Sequence, residues 1–258
     1  MWGGEVKPYY DEGGITIYHA DCREVMGDLD DASIDLIVTD PPYGHNNNNG
    51  DLIHRRELAL GHEKVGEVSE EARPIANDSP ELAAEMFEYM CGEARRVLVK
   101  GACCCCCSGG GGPDPQFARW VLHLDRTVGF KHAVVWDKGG LGMGWHYRRN
   151  YELILVAQKP GAACTWNGGH TFSNVIRGIN GIKPRQWEHP TPKPVDLFRK
   201  FVWLHSNPGD MVLDPFMGAG TTLLACRAEG GRRAIGIEIE EKYCEIAAKR
   251  LAQGVLEF

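Results

Sequence analysis

Ile34-Asp35-Leu36-Ile37-Val38-Thr39-Asp40-Pro41-Pro42-Tyr43 sets an apolar run against a stop. The run reads as a buried strand, since Ile, Leu and Val dominate it and a β-branched threonine closes it. The two prolines fix φ and remove ladder donors, so the sheet cannot continue through them. The chain must turn out at Asp40, leaving a carboxylate, a proline carbonyl and a phenol at the strand's carboxyl end. That edge is where open α/β sheets bind ligands. A carboxylate beside a backbone carbonyl forms a double acceptor for an amino group, and Tyr43 offers a face for a planar base.

Working outward, strands and helices alternate. Residues 15–19 read as a strand and 23–29 as a short helix. Residues 44–79, with Asn46 to Asn49 in a row, show no period and are expected to form a functional or mobile insert. Ser79-Pro80-Glu81-Leu82 opens a helix, with proline in its first turn and Leu82, Met86, Phe87, Met90 and Ala94 at helical spacing. A strand follows from Val97 through the cysteines, then a helix over 114–128 and strands over 133–136 and 152–157. Residues 158–190 look irregular. Beyond them come a helix over 195–205, a strand over 211–213, a helix over 220–229, a strand over 234–237 and a helix over 240–251. This order predicts a doubly wound α/β domain spanning residues 1–258, its mostly parallel sheet covered on both faces.

Composition agrees with one large domain of an ordinary globular protein, 43% hydrophobic and 24% charged over 258 residues. No apolar run approaches the roughly 18 residues a membrane span needs. The start, Met1-Trp2-Gly3-Gly4-Glu5, lacks the plan of a signal peptide, so a cytoplasmic protein is expected. Five of the ten cysteines are consecutive, Cys103 to Cys107, and none forms a zinc-type Cys-x-x-Cys pair. They read as a small apolar strand core in a reducing compartment, with no metal site. The net charge of −7 is awkward for a nucleic-acid enzyme. Local basic clusters relieve it: His54-Arg55-Arg56, His146-Tyr147-Arg148-Arg149 and Lys183-Pro184-Arg185. Modest, salt-sensitive DNA affinity is expected.

Leu213-Asp214-Pro215-Phe216-Met217-Gly218-Ala219-Gly220-Thr221-Thr222 is the second informative stretch. A strand ends, and a glycine turn opens a helix whose N-terminus favours an anionic group. Glu238, at the end of the next strand, suits a bidentate bond to ribose hydroxyls. An NAD fold shares Gly218-x-Gly220 and the acid, but Leu223 stands where its third glycine belongs. His189-Pro190-Thr191-Pro192-Lys193-Pro194 leads into a helix and reads either as a rigid linker or as part of the site.

Asp40-Pro41-Pro42-Tyr43, the Asp214 to Thr222 loop and the proline-rich lead together resemble the DNA amino-methyltransferases that use S-adenosylmethionine. With the catalytic tetrapeptide first and the cofactor glycines last, the order resembles their circularly permuted beta group, and the likeness runs from Ile15 to about Leu251. It implies a Rossmann-like methyltransferase sheet of seven-stranded type. It implies catalytic roles for Asp40, Pro41, Pro42 and Tyr43. Cofactor contacts fall to Asp21, Cys22, Asp214, Phe216, Gly218, Gly220, Thr221, Thr222 and Glu238, with Lys193 as partner of the cofactor carboxylate. Asp21 also reads as a helix N-cap. Asn150-Tyr151-Glu152 is implied to line the target-base pocket, and residues 158–188 to recognise the site.

The implied reaction is methylation of an exocyclic amine on a base flipped out of double-stranded DNA. Trp145, Tyr147 and Trp166 are candidate DNA contacts or core aromatics. Asp at position 40 resembles adenine-N6 enzymes, whereas cytosine-N4 enzymes more often carry Ser-Pro-Pro-Tyr. Cytosine-N4 methylation, the same chemistry on RNA or a protein glutamine, and a catalytically dead DNA-binding protein stay open as alternatives. Cytosine C5 chemistry is disfavoured, since no cysteine here follows a proline. Enzymes of the group are often dimers, and some are paired with a restriction endonuclease.

Overall fold

A computed structural model describes residues 6–44, 76–109, 116–140, 148, 150–181 and 193–253. In chain order its elements are β1 (Tyr10–Glu12), β2 (Ile15–His19), α1 (Cys22–Asp28), β3 (Ile34–Thr39), α2 (Pro80–Val97) and β4 (Leu98–Ser108). There follow α3 (Gln116–Thr127), β5 (Phe130–Asp137), β6 (Tyr151–Gln158), β7 (Val175–Ile176) and α4 (Val195–His205). The chain closes with β8 (Met211–Asp214), α5 (Thr221–Glu229), β9 (Arg233–Glu238) and α6 (Glu241–Ala252). The strands join one sheet in the order β1-β2-β9-β8-β3-β4-β6-β5-β7.

The strand that decides the fold lies at its centre, parallel to β8 on one side and to β4 on the other. Both its faces are covered, which is why all of it but Asp35 and Thr39 is apolar. Leu36 and Val38 pack with Val212 of β8 and with Phe198 and Val202 of α4. Ile34 and Ile37 face the other way, into Met86, Phe87 and Met90 of α2. The cysteine run keeps a strict two-residue period. Cys103, Cys105 and Cys107 enter the first core cluster, and Cys104 and Cys106 the second, all as free thiols. Ser79 caps α2 by accepting the Leu82 N–H at 3.2 Å, with Pro80 in the first turn.

The sheet corrects the expectation of simple alternation in one place. β6 runs antiparallel to both β4 and β5. Among the described residues between β5 and β6 no helix carries the chain back for a parallel return. Two short edge strands, β1 and β7, flank the seven that the resemblance implies. Most of the insert expected over 44–79, the clusters at 54–56 and 183–185, and Trp145, Tyr147 and His189 to Pro192 lie outside the described residues. Among those described, no helix is long and apolar enough to cross a membrane.

Candidate active site

β3 and β8 pair with Leu36 opposite Val212 and Ile37 opposite Leu213, so the turns that follow them leave from one sheet edge. A buried clasp ties those turns together. Thr39 Oγ1 donates to Asp214 Oδ1 at 2.6 Å, the Thr222 hydroxyl donates to Asp214 Oδ2 at 2.5 Å, and Phe216 N–H donates to Oδ1 at 3.1 Å. Burial pushes the Asp214 carboxyl up to about 6, although these donors pull the other way.

Just past Thr39, Asp40 carries a second, differently built network. Tyr43 Oη donates to Asp40 Oδ1 at 2.7 Å, and the Lys193 ammonium donates to Oδ2 at 2.6 Å. Lys193 Nζ also lies 3.4 Å from Glu152 Oε2, while Glu152 Oε1 accepts from Lys138 at 2.8 Å. Burial raises the Asp40 carboxyl above the usual range, with Lys193 opposing. Burial also acts to raise Glu152, but Lys193 and Lys138 outweigh it and hold that acid low. For Lys193 burial acts downward, and the flanking carboxylates outweigh it so that the ammonium is kept.

The loop itself is anchored at its far end. Gly44 N–H donates to Asp78 at 2.8 Å, and Gln116 donates to the Tyr43 carbonyl. Gly44 has φ of +69°, and a side chain there would meet Pro80 of α2 at 2.9 Å, so only glycine lets the loop lie against this helix. Trp120 meets the edge of the Tyr43 ring at 6.0 Å and stacks on Phe87 at 4.0 Å.

Across the same edge, Glu238 ends β9. Its Oε2 accepts from Gly218 N–H at 3.0 Å and its Oε1 from Glu240 N–H at 2.8 Å. Burial pushes this acid up to about 7. Gly220, with φ of +78°, caps α5 without any side-chain bond, and a Cβ there would stand 2.8 Å from Ala247 of α6. Phe216 is half-buried beside the turn. His19 pairs with Glu238, so the Asp21 turn lies on this edge too. Asp21 caps α1, accepting Arg23 N–H at 2.9 Å and pairing with the Arg23 guanidinium at 2.7 Å.

The structure therefore gathers Asp40, Tyr43, Lys193, Asp214, Phe216, Gly218, Gly220 and Glu238 on one edge. Four of the residues expected at the cofactor make other contacts. Cys22 points into the core beside Val25 and Met26, where burial pushes its thiol up to about 12. Asp214 and Thr222 are buried and committed to each other. Lys193, expected at a cofactor carboxylate, sits on Asp40 instead. Its carbonyl accepts from Thr221 Oγ1 at 3.4 Å. Two members were missed in these roles. Glu152 had been read only as pocket lining, and Lys138 stands just past β5, where a cation at a strand end was the available signal.

The donor set fits an adenosyl sulfonium cofactor. Glu238 keeps a free lone pair on each oxygen for ribose hydroxyls, Phe216 offers a ring to adenine, and the uncapped start of α5 suits a carboxylate.

A DNA methylase family model matches residues 34–249. The chain is 26% identical to the type II methyltransferase M2.DpnII of Streptococcus pneumoniae, over 95% of this chain and 92% of that protein. It is 28% identical to the DNA adenine methyltransferase YhdJ of Escherichia coli (strain K12), over 92% and 82% respectively. Among solved structures it is similar to M1.HpyAVI in complex with S-adenosylmethionine. That match has a TM-score of 0.64 and 26% identity, covering 92% of this chain and 98% of that one.

Proposed function

The chain belongs to the DNA methylase family, and on that premise we propose that it methylates the exocyclic N6 amine of adenine in duplex DNA. S-adenosylmethionine, when bound, supplies an electrophilic methyl carbon on a sulfonium. Glu238 and Asp21 would hold its ribose and adenine, Phe216 would pack on the ring, and the turn from Gly218 to Thr221 would receive its carboxylate. Asp214, Thr222 and Cys22 support that pocket from behind.

The target amine's lone pair is delocalised into the base, so it is a poor nucleophile in the ring plane. Asp40 accepts one N–H and the Pro41 carbonyl the other, pulling the nitrogen toward tetrahedral geometry. Pro42 fixes the loop behind that carbonyl, and Tyr43 stacks on the base. The gain is positioning and electrostatics, with no covalent enzyme intermediate. A paired base cannot reach Asp40, so the target is flipped out.

One observation carries this reading. The double acceptor and the glycine turn leave adjacent strand ends and are clasped through Thr39 and Asp214 at 2.6 Å. Residues 158–188 and the 44–79 insert are assigned to site recognition. The likeness to type II methyltransferases supports pairing with a restriction endonuclease, and a cytoplasmic place and homodimer assembly are proposed on the family resemblance alone. The test is nucleoside mass spectrometry of plasmid DNA incubated with the protein and S-adenosylmethionine. N6-methyladenine at one sequence is expected. N4-methylcytosine would move the target, and unmodified DNA would sink the reading.

A further inference from the structure

We propose that Glu152 is a positioning residue that receives the Lys193 ammonium when the target amine takes its place on Asp40. The inference rests on the amine-methylation reading above. Both Asp40 oxygens already accept, Oδ1 from Tyr43 at 2.7 Å and Oδ2 from Lys193 at 2.6 Å. An ammonium at that distance takes one of the two lone pairs of Oδ2, and its charge opposes any electron density Asp40 would lend to a base N–H. A nucleobase amine is a neutral donor, so its bond to the carboxylate lacks the ion-pair attraction that the ammonium has. It gains the carboxylate's full electron density only when the ammonium has somewhere else to go.

Glu152 is that place. Its Oε2 is buried and makes no hydrogen bond among the described residues, yet lies 3.4 Å from the same Nζ. Its Oε1 is pinned by Lys138 at 2.8 Å, so the acid stays while the lysine swings. Tyr43 lies on either side of that movement, its hydroxyl 3.4 Å and its ring centre 5.2 Å from Nζ. Two carboxylates and two ammonium groups share the site. The swing therefore exchanges partners without adding net charge to a partly buried region. Lys193 on Asp40 holds the catalytic carboxylate in place while no base is bound, and Glu152 makes that hold reversible.

Two measurements test this. In a crystal structure of Asp40→Asn, which keeps the side-chain shape, Lys193 Nζ is expected at hydrogen-bond distance from Glu152 Oε2. An ammonium turned to solvent or left on residue 40 overturns the proposal. In kinetics on plasmid DNA, Glu152→Gln should lower kcat about tenfold, with S-adenosylhomocysteine affinity by calorimetry unchanged. In a Lys193→Met background the same change should cost less than about twofold, because no ammonium remains to be received. Equal losses in both backgrounds, or none in the first, overturn it while leaving the amine reading standing. A wild-type protein that modifies no DNA overturns both.

Discussion

Glu238 and Asp40 stand on one edge of the sheet, one strand apart, and are held by different kinds of partner. Glu238 is gripped by two backbone N–H groups, from Gly218 and Glu240. Asp40 is gripped by two side chains, a phenol and an ammonium. Backbone donors cannot leave without undoing the turn that bears them. Side-chain donors change partners by a rotamer shift. The cofactor end is thus a fixed receptor, and the catalytic end an exchangeable one.

The sharpest way to break that contrast is to delete the exchangeable acid. Asp40→Ala should reduce methyl transfer by about a thousandfold or more, since both positioning and electrostatic stabilisation are lost. Calorimetry with S-adenosylhomocysteine should show binding retained. At the fixed end, Glu238→Gln should weaken cofactor binding by roughly tenfold to a hundredfold, the range for bonds to a charged acceptor. Its effect on kcat at saturating cofactor should be small. Gly220→Val should destabilise the fold by about 2 kcal/mol or more, because it adds a side chain at positive φ against Ala247; urea melts will read it.

pH separates the two ends further. Glu238 titrates near 7 in the fold against an ordinary 4.5, and Asp214 near 6 against 3.8. Both prefer their protonated forms when folded. Their contribution to stability is complete below about pH 4 and is lost as pH rises through 6 to 7. Urea midpoints should fall across that window, and less so in Glu238→Gln. Cofactor affinity should move oppositely, rising as Glu238 ionises, and should be flat in the variant. The smallest effect is expected from Tyr43→Phe. It removes one bond to Asp40 but keeps the ring, and a fall in kcat of about threefold to tenfold is predicted from a single hydrogen bond.

Much of this was legible in the chain because local chemistry forced it. Prolines at 41 and 42 end β3 whatever surrounds them, and Gly218 and Gly220 both adopt positive φ. Glu238 was legible for the same reason, as an acid closing a strand. What escaped were facts about neighbours. Lys193 and Asp40 are 153 positions apart, and only the folded chain joins them. Asp214 is expected at the cofactor through the resemblance of its loop; that both its oxygens are claimed by Thr39 and Thr222 depends on β8 lying beside β3. The reversed course of β6 was hidden because a strand's own residues do not encode its direction.

The cysteine strand has a practical consequence. Five thiols lie in one central strand, divided between its two faces and all buried. Only Cys164 among the ten is partly open to solvent. A thiol reagent added to the native protein should therefore mark Cys164 first and reach the five strand cysteines only when the sheet's centre opens. The molecule carries its own clock for that event, and S-adenosylhomocysteine, by stabilising the folded state, should slow it.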